Sequence, residues 1–70
     1  MRIEGVIARV LLLRGYGFIK SDDGEDYFFH ADQCRGFEWS GHDVVIGKRV
    51  TFIPKATNHG LRATEVELAS

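Results

Sequence analysis

Short apolar segments separated by glycine and aspartate are the feature that most constrains the fold of this chain. Valine, isoleucine, phenylalanine and tyrosine dominate these segments, and none of them repeats apolar residues at a helical period. Such segments are typical of strands, and they predict five: Ile3–Val10, Gly17–Ser21, Asp26–His30, Arg49–Pro54 and Arg62–Leu68. One helical turn is expected near Ala31–Arg35.

The length of the chain and the number of strands together predict a single all-β domain over residues 1–70. An open sheet of five short strands would leave long edges unpaired, so we expect the strands to close into a small barrel. The apolar residues expected to fill much of its core are Ile3, Ile7, Ile19, Val50, Phe52, Ala63, Val66 and Leu68.

Cysteine content and hydropathy predict a cytoplasmic protein without a membrane segment. The only cysteine, Cys34, cannot form an intramolecular disulfide, which a secreted domain of this size would usually need. The longest nearly apolar stretch, Val6–Leu13, contains Arg9 and is far shorter than the roughly 20 residues of a membrane-spanning helix. The N-terminus also lacks the longer apolar region of a signal peptide.

The net charge of −1 argues against a protein that holds nucleic acid through bulk positive charge. The charge is unevenly distributed, however. Residues 1–20 carry four bases and one acid, whereas residues 21–32 carry five acids and no base. The acidic block surrounds a segment with turn chemistry, Ser21–Gly24, and is interpreted as a solvated turn.

Aromatic residues are concentrated in the second and third predicted strands, with five of the eight between Tyr16 and Phe29. Side chains alternate between the faces of a strand, so Tyr16 and Phe18 share one face. In the next strand Phe28 and His30 share one face, and the intervening rings occupy the other. Both faces cannot be core in so small a barrel, which predicts one buried and one exposed set of rings.

A row of exposed rings beside Arg14 and Lys20 would make a platform on which unpaired bases stack. Gly15 and Gly17 are interpreted as positions where a planar ligand approaches the backbone. The alternative is that all five rings belong to the core, and the spacing alone leaves both interpretations open.

Two motifs in this region resemble those of the cold-shock domain family. Arg14-Gly15-Tyr16-Gly17-Phe18-Ile19 resembles its first ribonucleoprotein motif, and Tyr27-Phe28-Phe29-His30 resembles its second. The resemblance extends over nearly the whole chain through further matches in order: Gly5-x-Ile7, Asp26, Gly36-Phe37, Gly47-Lys48-x-Val50-x-Phe52 and Gly60-Leu61-x-Ala63-x-x-Val66.

The resemblance implies a five-stranded OB-type antiparallel barrel that binds single-stranded RNA or DNA, opposes RNA secondary structure and has no enzymatic activity. The residues that it implies for nucleic-acid binding are Tyr16, Phe18, Lys20, Phe28, His30, Phe37 and Arg62. It also implies a core that includes Ile19, Tyr27, Phe29 and Val50.

The chain departs from the family pattern in its first strand. The family usually has Lys-Trp-Phe-Asn where this chain has Ala8-Arg9-Val10-Leu11, and another phenylalanine where it has Ala31. We therefore expect weaker and more salt-sensitive binding, for which Arg9 compensates partly because a guanidinium stacks on bases and pairs with phosphates.

A leucine turn, Leu11, Leu12 and Leu13, stands where the family has a polar turn. These side chains either fold back on the barrel or against Trp39, or they contact a second chain in a homodimer or a protein partner. The alternative function is therefore a cold-shock-like barrel diverted to protein–protein contact. Trp39 is interpreted as a lid over the barrel end, or else as an extra stacking ring.

Catalytic and cofactor sites find little support in the sequence, so no enzyme activity, metal or cofactor is expected. Asp26 and His30 would lie about 13 Å apart along one strand, beyond hydrogen-bond reach. Cys34 has no feature that would lower its pKa and is expected to be a buried thiol. The histidines and Cys34 lack zinc-ligand spacing, and Gly15-x-Gly17 lacks the rest of a dinucleotide-binding loop.

Overall fold

A computed structural model of the chain describes residues 1–69, and these form five strands in a closed barrel. Two single 3₁₀ turns, η1 at Leu12–Arg14 and η2 at Ala31–Gln33, lie between strands. The strands are β1 at Ile3–Leu11, β2 at Tyr16–Ser21, β3 at Asp26–His30, β4 at Arg49–Thr57 and β5 at Gly60–Leu68. The all-β barrel predicted from the sequence is thus confirmed.

The strands follow one another around the barrel in the order β1-β2-β3-β5-β4. Four neighbouring pairs are antiparallel, whereas β3 and β5 run parallel and meet at the pair Phe28–Arg62. A ring with an odd number of strands must contain at least one parallel pair, because directions cannot alternate all the way round. The parallel closure therefore follows from the number of strands.

The predicted strand ends differ from the observed ones mainly in the β4–β5 hairpin, which continues to Thr57 and Gly60. Lys55 and Ala56 are exposed, so the alternation of buried and exposed residues that marks a strand fades after Pro54. The hairpin nevertheless continues because the tight turn is closed locally: the Thr57 hydroxyl accepts from His59 N–H at 3.1 Å and donates to Gly60 O at 2.9 Å.

The core contains six of the eight expected residues, while Ile3 and Leu68 are half-buried against its edge. Val44, from the long loop before β4, was missed because it lies outside any strand pattern. Trp39 packs edge-on against Phe29 with ring centroids 5.7 Å apart, so it contacts the core, as expected for a lid. The buried apolar residues are Ile7, Ile19, Tyr27, Phe29, Val44, Val50, Phe52, Ala63 and Val66.

The acidic turn between β2 and β3 is exposed, as predicted. Arg49 lies 2.9 Å from both Glu4 and Asp22, so part of the negative charge is neutralised at this end of the barrel. The Ser21 hydroxyl donates to Asp23, which lowers the pKa of that carboxyl. The acids of the turn thus belong to the structure of the hairpin.

Glu65 is the one residue other than glycine with a positive φ among residues 1–69, at 48°. It lies at the irregularity where β5 pairs with β4, and its backbone is held on both sides: its N–H donates to Gln33 and its carbonyl accepts from Arg2. Left-handed backbone costs an ordinary residue roughly 1 kcal/mol, whereas asparagine tolerates it better.

We therefore expect Glu65→Asn to raise the free energy of unfolding by about 0.5 kcal/mol, since both backbone contacts are retained. Urea denaturation followed by circular dichroism measures the change. Glu67→Asn, two positions further along the same strand, is the control and should destabilise slightly, because Glu67 pairs with Arg2. Equal effects of the two substitutions would contradict the strain argument.

Candidate nucleic-acid interface

Three rings from β2 and β3 lie together on the outside of the barrel and form what we call the aromatic face: Tyr16, Phe18 and Phe28. Their centroids are 5.2 to 6.1 Å apart, and each ring is half-buried. Tyr27 and Phe29 point into the core instead. The five rings are thus divided between two faces, and the alternative that all of them are core is wrong.

An arginine borders the aromatic face on each side. The strand registers place Arg9 of β1 opposite Phe18, Phe18 opposite Phe28, and Phe28 opposite Arg62 of β5. The Arg62 guanidinium carbon lies 4.7 Å from the centroid of the Phe28 ring, within the range of a cation–π contact. A single row across four neighbouring strands therefore has two rings, Phe18 and Phe28, with an arginine at each end.

A bulge in β1 determines which face Arg9 occupies. Ile7 is opposite Ile19, but Arg9 rather than Ala8 is opposite Phe18, so one extra residue is inserted between them. Strict alternation from the buried Ile7 would have turned Arg9 towards the core. The bulge restores it to the outside beside Phe18, where its side chain is exposed.

His30 and Lys20 extend the aromatic face along the strands. His30 is opposite Tyr16; its Nδ1 accepts from Asp32 N–H at 3.2 Å and lies 3.1 Å from an Asp32 carboxylate oxygen. Lys20 is opposite Asp26, and its ammonium lies 3.5 Å from that carboxylate. Lys20 is therefore partly neutralised by its neighbour, in contrast to Arg9, which has no ion pair among residues 1–69.

The two glycines of the first motif have structural roles, and Gly17 does not have the ligand-approach role interpreted from the sequence. A Cβ on Gly17 would lie 2.5 Å from the Arg9 carbonyl oxygen and 3.0 Å from the Phe29 ring, so the protein itself occupies that space. Gly15 has a φ of 78° and ends η1 in the left-handed region. Both glycines are needed for the backbone, and the earlier interpretation is wrong for Gly17.

Phe37 lies outside this ring cluster, whereas the leucine turn borders it at Leu11. Phe37 is half-buried against the core, and no ring contact among residues 1–69 joins it to the aromatic face. In the turn, Leu11 is opposite Tyr16 and half-buried, whereas the Leu13 side chain is fully exposed. The Trp39 indole donates to the Leu12 carbonyl at 2.8 Å, which ties the long loop to this turn.

A surface pocket of about 220 Å³ adjoins the aromatic face, and some of its lining residues carry no sequence signal for nucleic-acid binding. Asp32, Gln33 and Thr64 line it together with Phe28, His30 and Arg62. The sequence offered no signal for this grouping, because it depends on how β5 comes beside η2 across more than 30 residues of chain.

The described part of the chain offers few features for thiol chemistry or metal binding. Burial raises the pKa of the half-buried Cys34 thiol to about 11, which leaves it protonated and a poor nucleophile at neutral pH. Residues 1–69 contain no cluster of three or more side chains suited to a metal ion. Within the same residues, no helix is long and apolar enough to span a membrane.

Comparison with known families and proteins agrees with this geometry. Residues 3–69 match the family described as the 'Cold-shock' DNA-binding domain. The Retron Se72 cold shock-like protein of Salmonella heidelberg is 39% identical over 57 residues, which cover 79% of this chain and 81% of that protein. Cold shock protein 1 of Lactiplantibacillus plantarum is 38% identical over 55 residues, covering 76% of this chain and 77% of that protein.

A solved structure, drosophila Unr CSD456, resembles the fold of the whole chain. It superposes with a TM-score of 0.77 at 22% sequence identity and covers 100% of this chain. The matched region is 27% of that longer protein chain, so this chain spans about a quarter of it. At this identity the likeness concerns the barrel fold.

Proposed function

The chain belongs to the cold-shock DNA-binding domain family, and we propose that it binds single-stranded nucleic acid by stacking unpaired bases on the aromatic face. The family generally binds nucleic acid and is not enzymatic. The observation that carries the proposal is the outer row in which Phe18 and Phe28 lie between Arg9 and Arg62. Such a row offers both partners that a single strand needs, ring faces for bases and cations for phosphates.

Stacking accounts for binding by a protein with a net charge of −1. The three rings contact one another and are half-buried, so little side-chain freedom is lost when a base covers them. Every base has an aromatic face, which makes this attraction tolerant of sequence. The arginines act over short distances once the strand is bound, whereas the overall charge gives weak long-range steering.

The same mechanism opposes RNA secondary structure. A base stacked on Phe18 or Phe28 is held away from its pairing partner, so each bound segment is withdrawn from the duplex. The aromatic face thereby favours the unpaired form by mass action, without any chemical step. This is the RNA-chaperone-like activity that we assign to the protein.

A comparison of paired and unpaired forms of one sequence tests the proposal. We expect a labelled strand of about eight nucleotides to bind at least tenfold more tightly than its duplex, because duplex bases are already stacked on each other. Fluorescence anisotropy measures both affinities. Equal affinity for the two forms, or no binding of the single strand, would contradict the proposal.

Arg9 is expected to give the binding a measurable dependence on salt. Each phosphate contact on a single strand contributes a slope of about −0.7 to log K against log salt. Titrations between about 50 and 200 mM salt should therefore show a slope shallower by roughly 0.7 for Arg9→Ala. Arg49→Ala is the control, because Arg49 is already paired with Glu4 and Asp22. An unchanged slope for Arg9→Ala would remove Arg9 from the interface.

Protein–protein contact is a second candidate function, favoured by the full exposure of Leu13 and the 39% exposure of Leu12. A homodimer formed there would show a mass that rises with concentration in light scattering and returns to the monomer value in Leu13→Ser. A parent that stays monomeric would exclude the homodimer.

A further inference from the structure

The pocket beside the aromatic face arises where β3 and β5 separate. The two strands pair at Phe28 and Arg62, and the next backbone bridge to β5 is at Cys34, which pairs with Val66. Between these bridges the chain turns through η2, and the space left beside Ala63 and Thr64 is the pocket of about 220 Å³. Because Phe28 and His30 line it, a base stacked on these rings would place its edge in the pocket.

Hydrogen bonds fix the polar groups on the η2 side of the pocket. The Gln33 side-chain oxygen accepts from Glu65 N–H at 3.2 Å, so the amide nitrogen points the other way and donates to Asp32 at 3.3 Å. Gln33 and His30 Nδ1 thus both lie against Oδ1 of Asp32, and its Oδ2 has no hydrogen bond among residues 1–69. An ionised carboxylate only accepts hydrogen bonds, so the Asp32 carboxylate requires donors from a ligand.

Arg62 supplies the opposite chemistry on the β5 side. Its guanidinium lies over the Phe28 ring and has no ion pair among residues 1–69. A guanidinium only donates hydrogen bonds, so this side of the pocket requires an acceptor. The pocket therefore joins an acceptor, Asp32, and a donor, Arg62, and a base that stacks on the Phe28 face covered by Arg62 would displace the guanidinium from it.

We propose that this pocket binds the Watson–Crick edge of one guanine, which gives the protein a preference for single strands that contain guanine. Guanine alone among the four common bases presents two adjacent donors, N1–H and N2–H, beside an acceptor, O6. The N1–H and N2–H groups would donate to the Asp32 carboxylate, and O6 would accept from Arg62. An acid on a phosphate-binding surface otherwise repels the strand, which favours a role for Asp32 in reading a base edge. The inference rests on the proposed function, because it adds base preference to the same surface.

The experiment uses four oligothymidines of about eight nucleotides that carry a single central G, A, C or T. Anisotropy titrations of the parent should give about tenfold tighter binding for the G strand, the discrimination typical of a paired side-chain contact to one base. Asp32→Asn should reduce this preference, measured as the ratio of the affinities for the G and T strands, to less than twofold. Glu25→Gln removes the same charge from the acidic turn and should preserve the preference.

The outcomes separate this inference from the function on which it rests. If the parent binds all four strands equally, or prefers A or C, base reading by this pocket is wrong while stacking is retained. If Asp32→Asn stays folded by circular dichroism and keeps the G preference, Asp32 is not the reader. If the parent binds none of the strands, both the proposed function and the guanine inference are wrong.

Discussion

Replacing Gly17 with alanine is expected to destabilise the barrel by about 3 kcal/mol, the upper end of the usual cost of overpacking. The new methyl carbon would lie 2.5 Å from the Arg9 carbonyl oxygen and 3.0 Å from the Phe29 ring. Neither neighbour can yield cheaply, since the first is backbone at the β1 bulge and the second is a fully buried core ring. A domain this small has only roughly 5 kcal/mol of stability, so most of it would be lost.

Gly41→Ala is the matched control for this substitution. A Cβ on Gly41 meets nothing within 4 Å, and its φ is not in the left-handed region, so its effect should stay within about 0.5 kcal/mol. Urea denaturation of both variants against the parent measures the difference. A Gly17→Ala protein as stable as Gly41→Ala would mean that β1 and β2 do not approach as closely as described.

Removing two rings of the aromatic face should abolish most nucleic-acid binding. Each base–ring stack contributes about 1–3 kcal/mol by alanine substitution, so Phe18→Ala with Phe28→Ala should weaken binding by roughly a hundredfold or more. The centroids of the two rings are 5.8 Å apart, so the rings are in contact. The losses of binding free energy in the two single variants should therefore not add up to the loss in the double variant. Anisotropy with an oligothymidine strand measures all three variants.

A second double variant separates stacking from folding. Phe18→Leu with Phe28→Leu retains apolar volume against the half-buried surface but removes both ring faces, so it should fold and still bind weakly. Leu13→Ala truncates a fully exposed side chain that is not one of the three rings and should leave affinity unchanged. Full affinity in the folded leucine variant would show that the rings are not the stacking surface.

Much of the barrel was predictable because the pattern that marks a strand is local. Ile7 and Ile19 are buried between neighbours that are half-buried or exposed. The burial of Tyr27 and Phe29, which the family resemblance implied, was confirmed. The hairpin extension to Thr57 was not predictable, since its stability comes from pairing across a turn rather than from an apolar face.

The site was only partly predictable for a related reason. Alternation places Tyr16 and Phe18 on one face of β2, whereas the choice of Phe28 as the third ring was implied by the family resemblance, and the β2–β3 register brings it opposite Phe18. Arg62 reaches Phe28 only through the parallel closure of the barrel. No residue type in β1 signals the bulge that directs Arg9 outward. The packing role of Gly17 could not be predicted either, because it depends on Phe29 of the neighbouring strand.

Stacking of unpaired bases on the aromatic face can be observed directly by nuclear magnetic resonance of the ring protons during titration with a single strand. Stacked bases shift the resonances of rings beneath them upfield. We expect such shifts for Tyr16, Phe18 and Phe28, with the resonances of the buried Tyr27 and Phe29 almost unchanged. Ring resonances that stay in place while the methyl signals of Leu12 and Leu13 move would contradict this expectation.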